Sequence, residues 1–162
     1  MVVGKLGLDE YGGEDDDALW SDLTELMQRV ETDMTILFRG LANVVVADDV
    51  QPIMDAFYTE PTQETVSAWR GWLKRYMQRV AVVPHRVRKA RMDAFNPWFI
   101  LRNYLAQEAI EKAEEGDVDQ VKLLLDAAQT PYVANLDHPE LGFKRPEWAR
   151  DKPGCSTLSC SS

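Results

Sequence analysis

The sequence predicts an all-α fold, an irregular helical bundle followed by an extended C-terminal tail. Three observations carry this. Apolar residues recur at spacings of three and four through most of the first 130 positions, and no strand-like alternation of useful length interrupts them. After that, Pro131, Pro139, Pro146 and Pro153 break every periodic run. The chain therefore divides into a helical domain over 1–130 and an irregular Pro-containing tail over 131–162 that ends in Cys-Ser-Ser.

Each helix has its own punctuation. "DDDALWSDLTELMQRV" offers Asp15 to Asp17 as caps and first-turn acids, favourable at the positive end of a helix, and Leu19, Leu23, Leu26, Met27 and Val30 line one face. "TDMTILFRGLANV" repeats the logic, with Thr32 or Asp33 as cap and Met34, Leu37, Phe38 and Leu41 as the stripe. "VVV" at 44–46 closes this helix, and a short helix follows around Pro52 to Tyr58. From Thr62 to Val82 runs the longest amphipathic stretch, with Val66, Trp69, Leu73, Tyr76, Met77 and Val80 inward and Trp72 widening the stripe. Its two tryptophans suit either a ligand platform or a packed core, and packing is favoured because large aromatics dominate core burial. Pro84 ends it, and "HRVRKARMDAF" gives a short basic helix.

In "NPWFILRNYLAQEAIEKAEEGD", Asn96 is placed as an N-cap and Pro97 at the first helical position. Phe99, Ile100, Tyr104, Leu105, Ala109 and Ile110 form the apolar face and Gly116 the stop. Asp117, with Gln120 as capping-box partner, opens another helix carrying Val121, Leu124 and Leu125, so 96–130 reads as two antiparallel helices. This hairpin looks like half of an ankyrin repeat, but a repeat array needs several copies and no second one occurs. In the tail, Trp148 is the candidate anchor onto the helices.

The net charge of −9 argues against nucleic acid or an anionic membrane as partner, and no apolar run reaches the roughly 18–20 residues of a membrane-spanning helix. The opening "MVVGKLGLDEYGG" has neither a secretory core nor transit-peptide composition, so it gives no targeting signal. Charge is segregated. Ten acids and one base lie between Asp9 and Asp33, whereas eight bases and no acid lie between Thr65 and Met92. Mutual neutralisation of these segments within the fold is favoured over a phosphate-binding patch.

The inventory for chemistry is short. There is no Gly-rich phosphate loop, no serine nucleophile elbow and no local histidine pair, since His85 and His138 stand 53 positions apart. Those histidines with Cys155 and Cys160 lack zinc-ligand spacing, and Glu108, Glu111, Glu114 and Glu115 read as a solvated helical face. No catalytic, cofactor-binding or metal-binding residue is assigned. What remains is Cys155 and Cys160, accessible tail thiols that either pair with each other, pair with a partner chain or stay inert.

Arg102, Asn103 and Gln107 inside that apolar helix carry a more specific signal, since buried polar groups need partners. The stretch 96–117 resembles the C-terminal signature of the selenoprotein O family, and further likenesses follow in order: "KLGL", "DMTILFRGLANV", "WLKRYMQR", "RKARMDAFNP", "TPY", "RPEWA" and the terminal "SCSS". The resemblance implies the C-terminal part of a larger kinase-like protein that transfers AMP from ATP to protein hydroxyls with a divalent metal such as Mg. The ATP- and metal-binding residues of such a protein lie upstream of this chain. "MVVGKLGL" would be the seam with that kinase-like lobe, and Met1 an internal or mis-called start. The third-from-last residue, selenocysteine or cysteine in the family, is Cys160 here. The resemblance gives it a redox-control role by pairing with a cysteine of the kinase-like part, with Cys155 as the alternative. It also implies the kinase-like lobe and protein substrates as partners, and a mitochondrial or cytoplasmic location. The competing expectation is a stand-alone helical interaction module without catalysis.

Overall fold

The computed structural model describes residues 1–155, and among these it is all-helical apart from one isolated bridge between Thr32 and Phe57. By packing, the chain divides between Pro97 and Trp98 into two compact units, Met1–Pro97 and Trp98–Ser162. Residue 130, where the periodicity stops, is a change of secondary structure inside the second unit. The irregular stretch beyond it shares one core with the helices before it.

The first unit holds α1 (Val2–Leu6), α2 (Glu14–Arg29), α3 (Met34–Leu41), a 3-10 turn at Gln51–Ala56, α4 (Gln63–Arg79) and α5 (His85–Phe95). Two helices of this unit have side-chain caps: Asp33, one of the two candidates the sequence offers there, and Thr62, where the sequence starts a helical stretch without naming a cap. The Asp33 carboxylate accepts from the Ile36 N–H at 3.0 Å, and Thr62 Oγ1 accepts from the Thr65 N–H at 3.2 Å. The start of α2 differs: Gly13, at φ +73°, is the N-cap, and Glu14 to Asp17 fill the first turn instead of capping it. Val44 to Val46 belong to neither helix nor strand; Val44 is buried after the turn that ends α3, while its two neighbours face solvent.

The core of this unit is built on α4. Trp69, Trp72, Leu73 and Tyr76 are fully enclosed, so the two tryptophans are core residues. Trp72 stacks on Tyr76 at 5.2 Å between centroids, meets Trp69 edge-on at 6.1 Å, and donates its Nε1–H to the Leu19 carbonyl at 2.9 Å. The Tyr76 hydroxyl donates to the Leu6 carbonyl at 2.9 Å, and burial pushes its pKa up to about 12. Arg88 is also enclosed; one Nη donates to the Val44 carbonyl and the other to Met77 Sδ at 3.0 Å, with the guanidinium over the Tyr76 ring.

The acidic and basic segments meet. Arg79 binds Asp16 at 2.7 Å and approaches Asp9 at 3.6 Å, and Arg75 binds Asp22 at 2.7 Å, which joins α4 to α2 as charge neutralisation requires. Asp16 is completely buried. Burial pushes its pKa up, but the hydrogen bonds from Arg79 and from the Gly12 N–H at 2.6 Å outweigh that and hold it below the usual carboxylate value. A depressed folded pKa means that the stabilisation is complete above the unfolded value of about 3.9 and is lost as pH falls through the folded one. Asp16→Asn is therefore expected to cost about 3 kcal/mol at pH 7, the low end for breaking a buried pair, because Arg79 keeps partial solvent contact. In urea denaturation the deficit should shrink on acidification below pH about 3.9; a deficit independent of pH would assign it to packing.

Asn96 is the clearest correction to the sequence reading. It does not begin a helix. It ends α5, its N–H donating to the Met92 carbonyl at 2.7 Å, and takes the extended backbone expected before a proline. Its buried side chain donates to the Lys5 carbonyl at 3.1 Å, and its own carbonyl accepts from Arg39 at 3.2 Å.

The second unit, described to Cys155, holds α6 (Asn103–Glu114), α7 (Asp119–Gln129), and 3-10 turns at Pro139–Gly142 and Glu147–Ala149. The helix expected from residue 97 starts six residues later, and the Trp98 and Phe99 N–H groups, which an Asn96 cap would have held, both donate to the Pro131 carbonyl, at 2.7 and 2.9 Å. Gly116, at φ +93°, ends α6 as predicted, with the Asp117 N–H returning to the Lys112 carbonyl at 3.0 Å. The Asp117 carboxylate accepts from the Asp119 N–H at 2.9 Å, while Gln120 reaches Glu108 and forms no capping box. Phe99, Tyr104, Leu105, Ala109, Leu124 and Ala127 make the core with Leu141, Ala149 and Cys155 from the irregular stretch. Trp148, placed as the anchor, is half exposed, edge-on to Tyr104 at 6.1 Å; Ala149 beside it is the fully buried residue. Ile100, Ile110, Val121 and Leu125, assigned to the inward stripe, face outward.

Candidate functional site

The end of the described chain is held by a small network. Gly154, at φ +83°, forms a turn in which the Cys155 N–H donates to the Lys152 carbonyl at 3.0 Å. The left-handed backbone favours glycine here, and a Cβ at this position would also push aside the Gln107 amide, 2.4 Å away at Oε1. Lys152 Nζ binds Glu111 at 2.5 Å and sits 5.5 Å from the centre of the Trp148 ring. Gln107 donates to the same Glu111 carboxylate at 3.1 Å. Hydrogen bonding from Lys152 first and Gln107 second lowers the Glu111 pKa, and Glu111 in turn raises that of Lys152. Gln107, flagged by the sequence as a polar residue in an apolar helix, thus joins α6 to the turn before the cysteine.

Cys155 is a free thiol with 5% exposure, packed into the core of the second unit. The accessible thiol expected at this position is buried, because the irregular stretch folds back onto α6 and α7. Thiol chemistry requires thiolate and access, and burial withholds the second. Cys160 lies outside the described residues.

A cleft of about 730 Å³ opens in the second unit between α6, α7 and the 138–141 turn. Six carboxylates line it (Glu108, Glu111, Glu115, Asp117, Asp119 and Glu140) with Lys112 and His138 as basic groups and Leu105, Leu123 and Leu141 as floor. His138 Nδ1 lies 3.0 Å from Glu140 Oε1, and a backbone hydrogen bond followed by His138 holds the Glu140 carboxyl low. Sequence reasoning took Glu108, Glu111 and Glu115 for a solvated face. Their spacing of three and four does place them on one side of α6, but the turn that walls the cleft comes from an aperiodic stretch.

His85, in the first unit, lies 3.2 Å from the Ala42 carbonyl, whereas His138 and Cys155 belong to the second. Among the described residues no group of three or more His, Cys, Asp or Glu side chains is arranged to hold a metal ion, and no helix is long and apolar enough to cross a membrane.

Comparison with known proteins adds what the geometry alone leaves open. A family model described as protein adenylyltransferase SelO matches residues 1–129. Three curated proteins named protein nucleotidyltransferase YdiU illustrate the similarity. The one from Aromatoleum aromaticum is 43% identical over 166 residues, covering all of this chain and 32% of its own length. The one from Rhodopirellula baltica is 41% identical, covering all of this chain and 33% of its own. The one from Xanthomonas campestris pv. campestris is 44% identical, covering 99% of this chain and 32% of its own. The chain thus spans about a third of the length of the curated relatives it matches.

Proposed function

Because the chain belongs to the SelO family of protein adenylyltransferases, we propose that it is the C-terminal structural and regulatory third of an enzyme that transfers AMP from ATP to protein hydroxyls. The observation that carries this reading is the match of the whole chain to one third of each relative. The order of the motifs, ending in "SCSS", supports placing it at the C-terminal end.

ATP and Mg belong to the remaining part in this reading. A triphosphate does not fit the cleft found here: six carboxylates against Lys112 and His138 give it the wrong sign. The kinase-like part and its protein substrates would be the partners. The contribution of this chain is positional and regulatory. Its regulatory residue is Cys160, and the burial of Cys155 supports that choice over the alternative. Thiol–disulfide exchange with an oxidised low-molecular-weight disulfide joins Cys160 to a cysteine of the kinase-like part, and the small disulfide takes up the two electrons and two protons and leaves as two thiols. A dithiol reductant reverses this and frees the catalytic part.

Two measurements test this. An antibody against the segment should detect a native protein much larger than 18.5 kDa; a species at 18.5 kDa would mean a separate interaction module. In the full-length enzyme, Cys160→Ser should abolish the dependence of AMP transfer on a dithiol reductant, while Cys155→Ser leaves that dependence in place. Unchanged dependence in Cys160→Ser removes Cys160 from the mechanism.

A further inference from the structure

The α6–α7 hairpin carries an apolar surface that its own unit leaves open. Leu101, Ile110, Val121 and Leu125 are 44–57% exposed and line a groove of about 310 Å³ floored by Ala109 and Leu124, with Ala106 and Ala128 beside them. No polar or charged residue lines it. The core of the second unit lies beneath it, on Leu105, Ala109, Leu124 and Ala127, and no described residue of the irregular stretch lines the groove. Branched side chains along the sides with alanines between them form the relief into which the side-chain ridge of another helix packs.

We propose that this groove seats an aliphatic helix from the two-thirds of the family protein that this chain does not contain. The proposal rests on the family reading, and the size of the patch favours this occupant. Four half-exposed aliphatic side chains offer roughly 300–400 Å² of apolar surface. Two copies meeting here would bury well below the ~1,200 Å² of a stable free interface. A segment joined covalently to the hairpin needs no such area, since tethering supplies an effective concentration in the millimolar range. Relatives about three times as long as this chain supply ample sequence for the occupant.

Thiol accessibility tests the seat directly. Leu125→Cys is introduced into this chain and at the aligned position of the full-length Aromatoleum aromaticum relative, and maleimide labelling at that residue is followed by peptide mass. The new thiol should label in this chain at the rate of an exposed cysteine, independently of protein concentration, and at least tenfold more slowly in the full-length protein. Glu114→Cys, on exposed polar surface, should label equally fast in both, and Val121→Cys repeats the test should Leu125→Cys disturb folding. Equal rates at the groove in the two proteins would overturn the proposal. So would slow labelling of the short chain: if it quickens on dilution the groove belongs to a second copy, and if it does not, to the first unit. The reading of this chain as one third of a longer enzyme fails separately, through a native mass of 18.5 kDa.

Discussion

Replacing Trp72 with Ala is expected to lower the stability of the first unit by about 4 kcal/mol, which urea denaturation followed by far-UV circular dichroism would measure. The side chain has 1% exposure and lies between Tyr76 and Trp69, so truncation empties a volume walled by rigid rings that collapse poorly. The substitution also removes the Nε1–H bond to the Leu19 carbonyl, one of the links between α4 and α2. Trp72→Phe keeps most of the stacking and loses the hydrogen bond, and should cost about 1–2 kcal/mol. Equal losses for the two variants would show that the hydrogen bond, not the ring volume, holds the helices together.

The second large effect comes from the smallest side chain. Gly40 in α3 lies against the turn at Gln51–Ala56: a Cβ built there would sit 2.3 Å from the Pro52 carbonyl oxygen and 3.2 Å from Ile53 Cα. Both obstacles are backbone, so no rotamer change relieves them. Gly40→Ala should cost about 3 kcal/mol, at the upper end for overpacking, and Gly40→Val more. Gly71 provides the internal control, since a Cβ there meets nothing within 4 Å in the middle of α4. Gly71→Ala should stabilise by about 0.5–1 kcal/mol through helix propensity alone. The same change at two helical glycines is thus expected to have opposite signs. If both destabilise, the close approach of α3 to the turn is not the cause.

These contrasts mark how far the sequence could be read. Features set by neighbouring residues were legible: Asp33 as one of two candidate caps, the stop at Gly116 and the buried face of α4 each depend on a few adjacent side chains. The ion pairs from Arg75 and Arg79 to α2 were legible only as a tendency, because segregated charge predicts attraction but not partners. Asn96 and Pro97 form the strongest helix-start signal in the chain, yet no helix starts there. The Asn96 side chain goes to the Lys5 carbonyl, and the N–H groups it would have capped go to the Pro131 carbonyl, more than thirty residues away, partners that no local rule counts. The stretch from Pro131 was legible as irregular, but not as part of a core, since burial of Leu141, Ala149 and Cys155 follows no period. The acidic cleft was hidden for the same reason. Membership of the family was visible in Arg102, Asn103 and Gln107, residues that an ordinary amphipathic helix has no need to specify.

The enclosed position of Cys155 has a practical consequence. A thiol sealed into the core of the second unit can be alkylated only when that unit opens, so its modification rate under native conditions is a clock for local unfolding. Trp20, Trp69 and Trp72 lie in the first unit and Trp98 and Trp148 in the second, so tryptophan emission follows the opening of both, whereas alkylation of Cys155 follows the second alone. Alkylation that outruns the change in emission would mean that the second unit opens by itself.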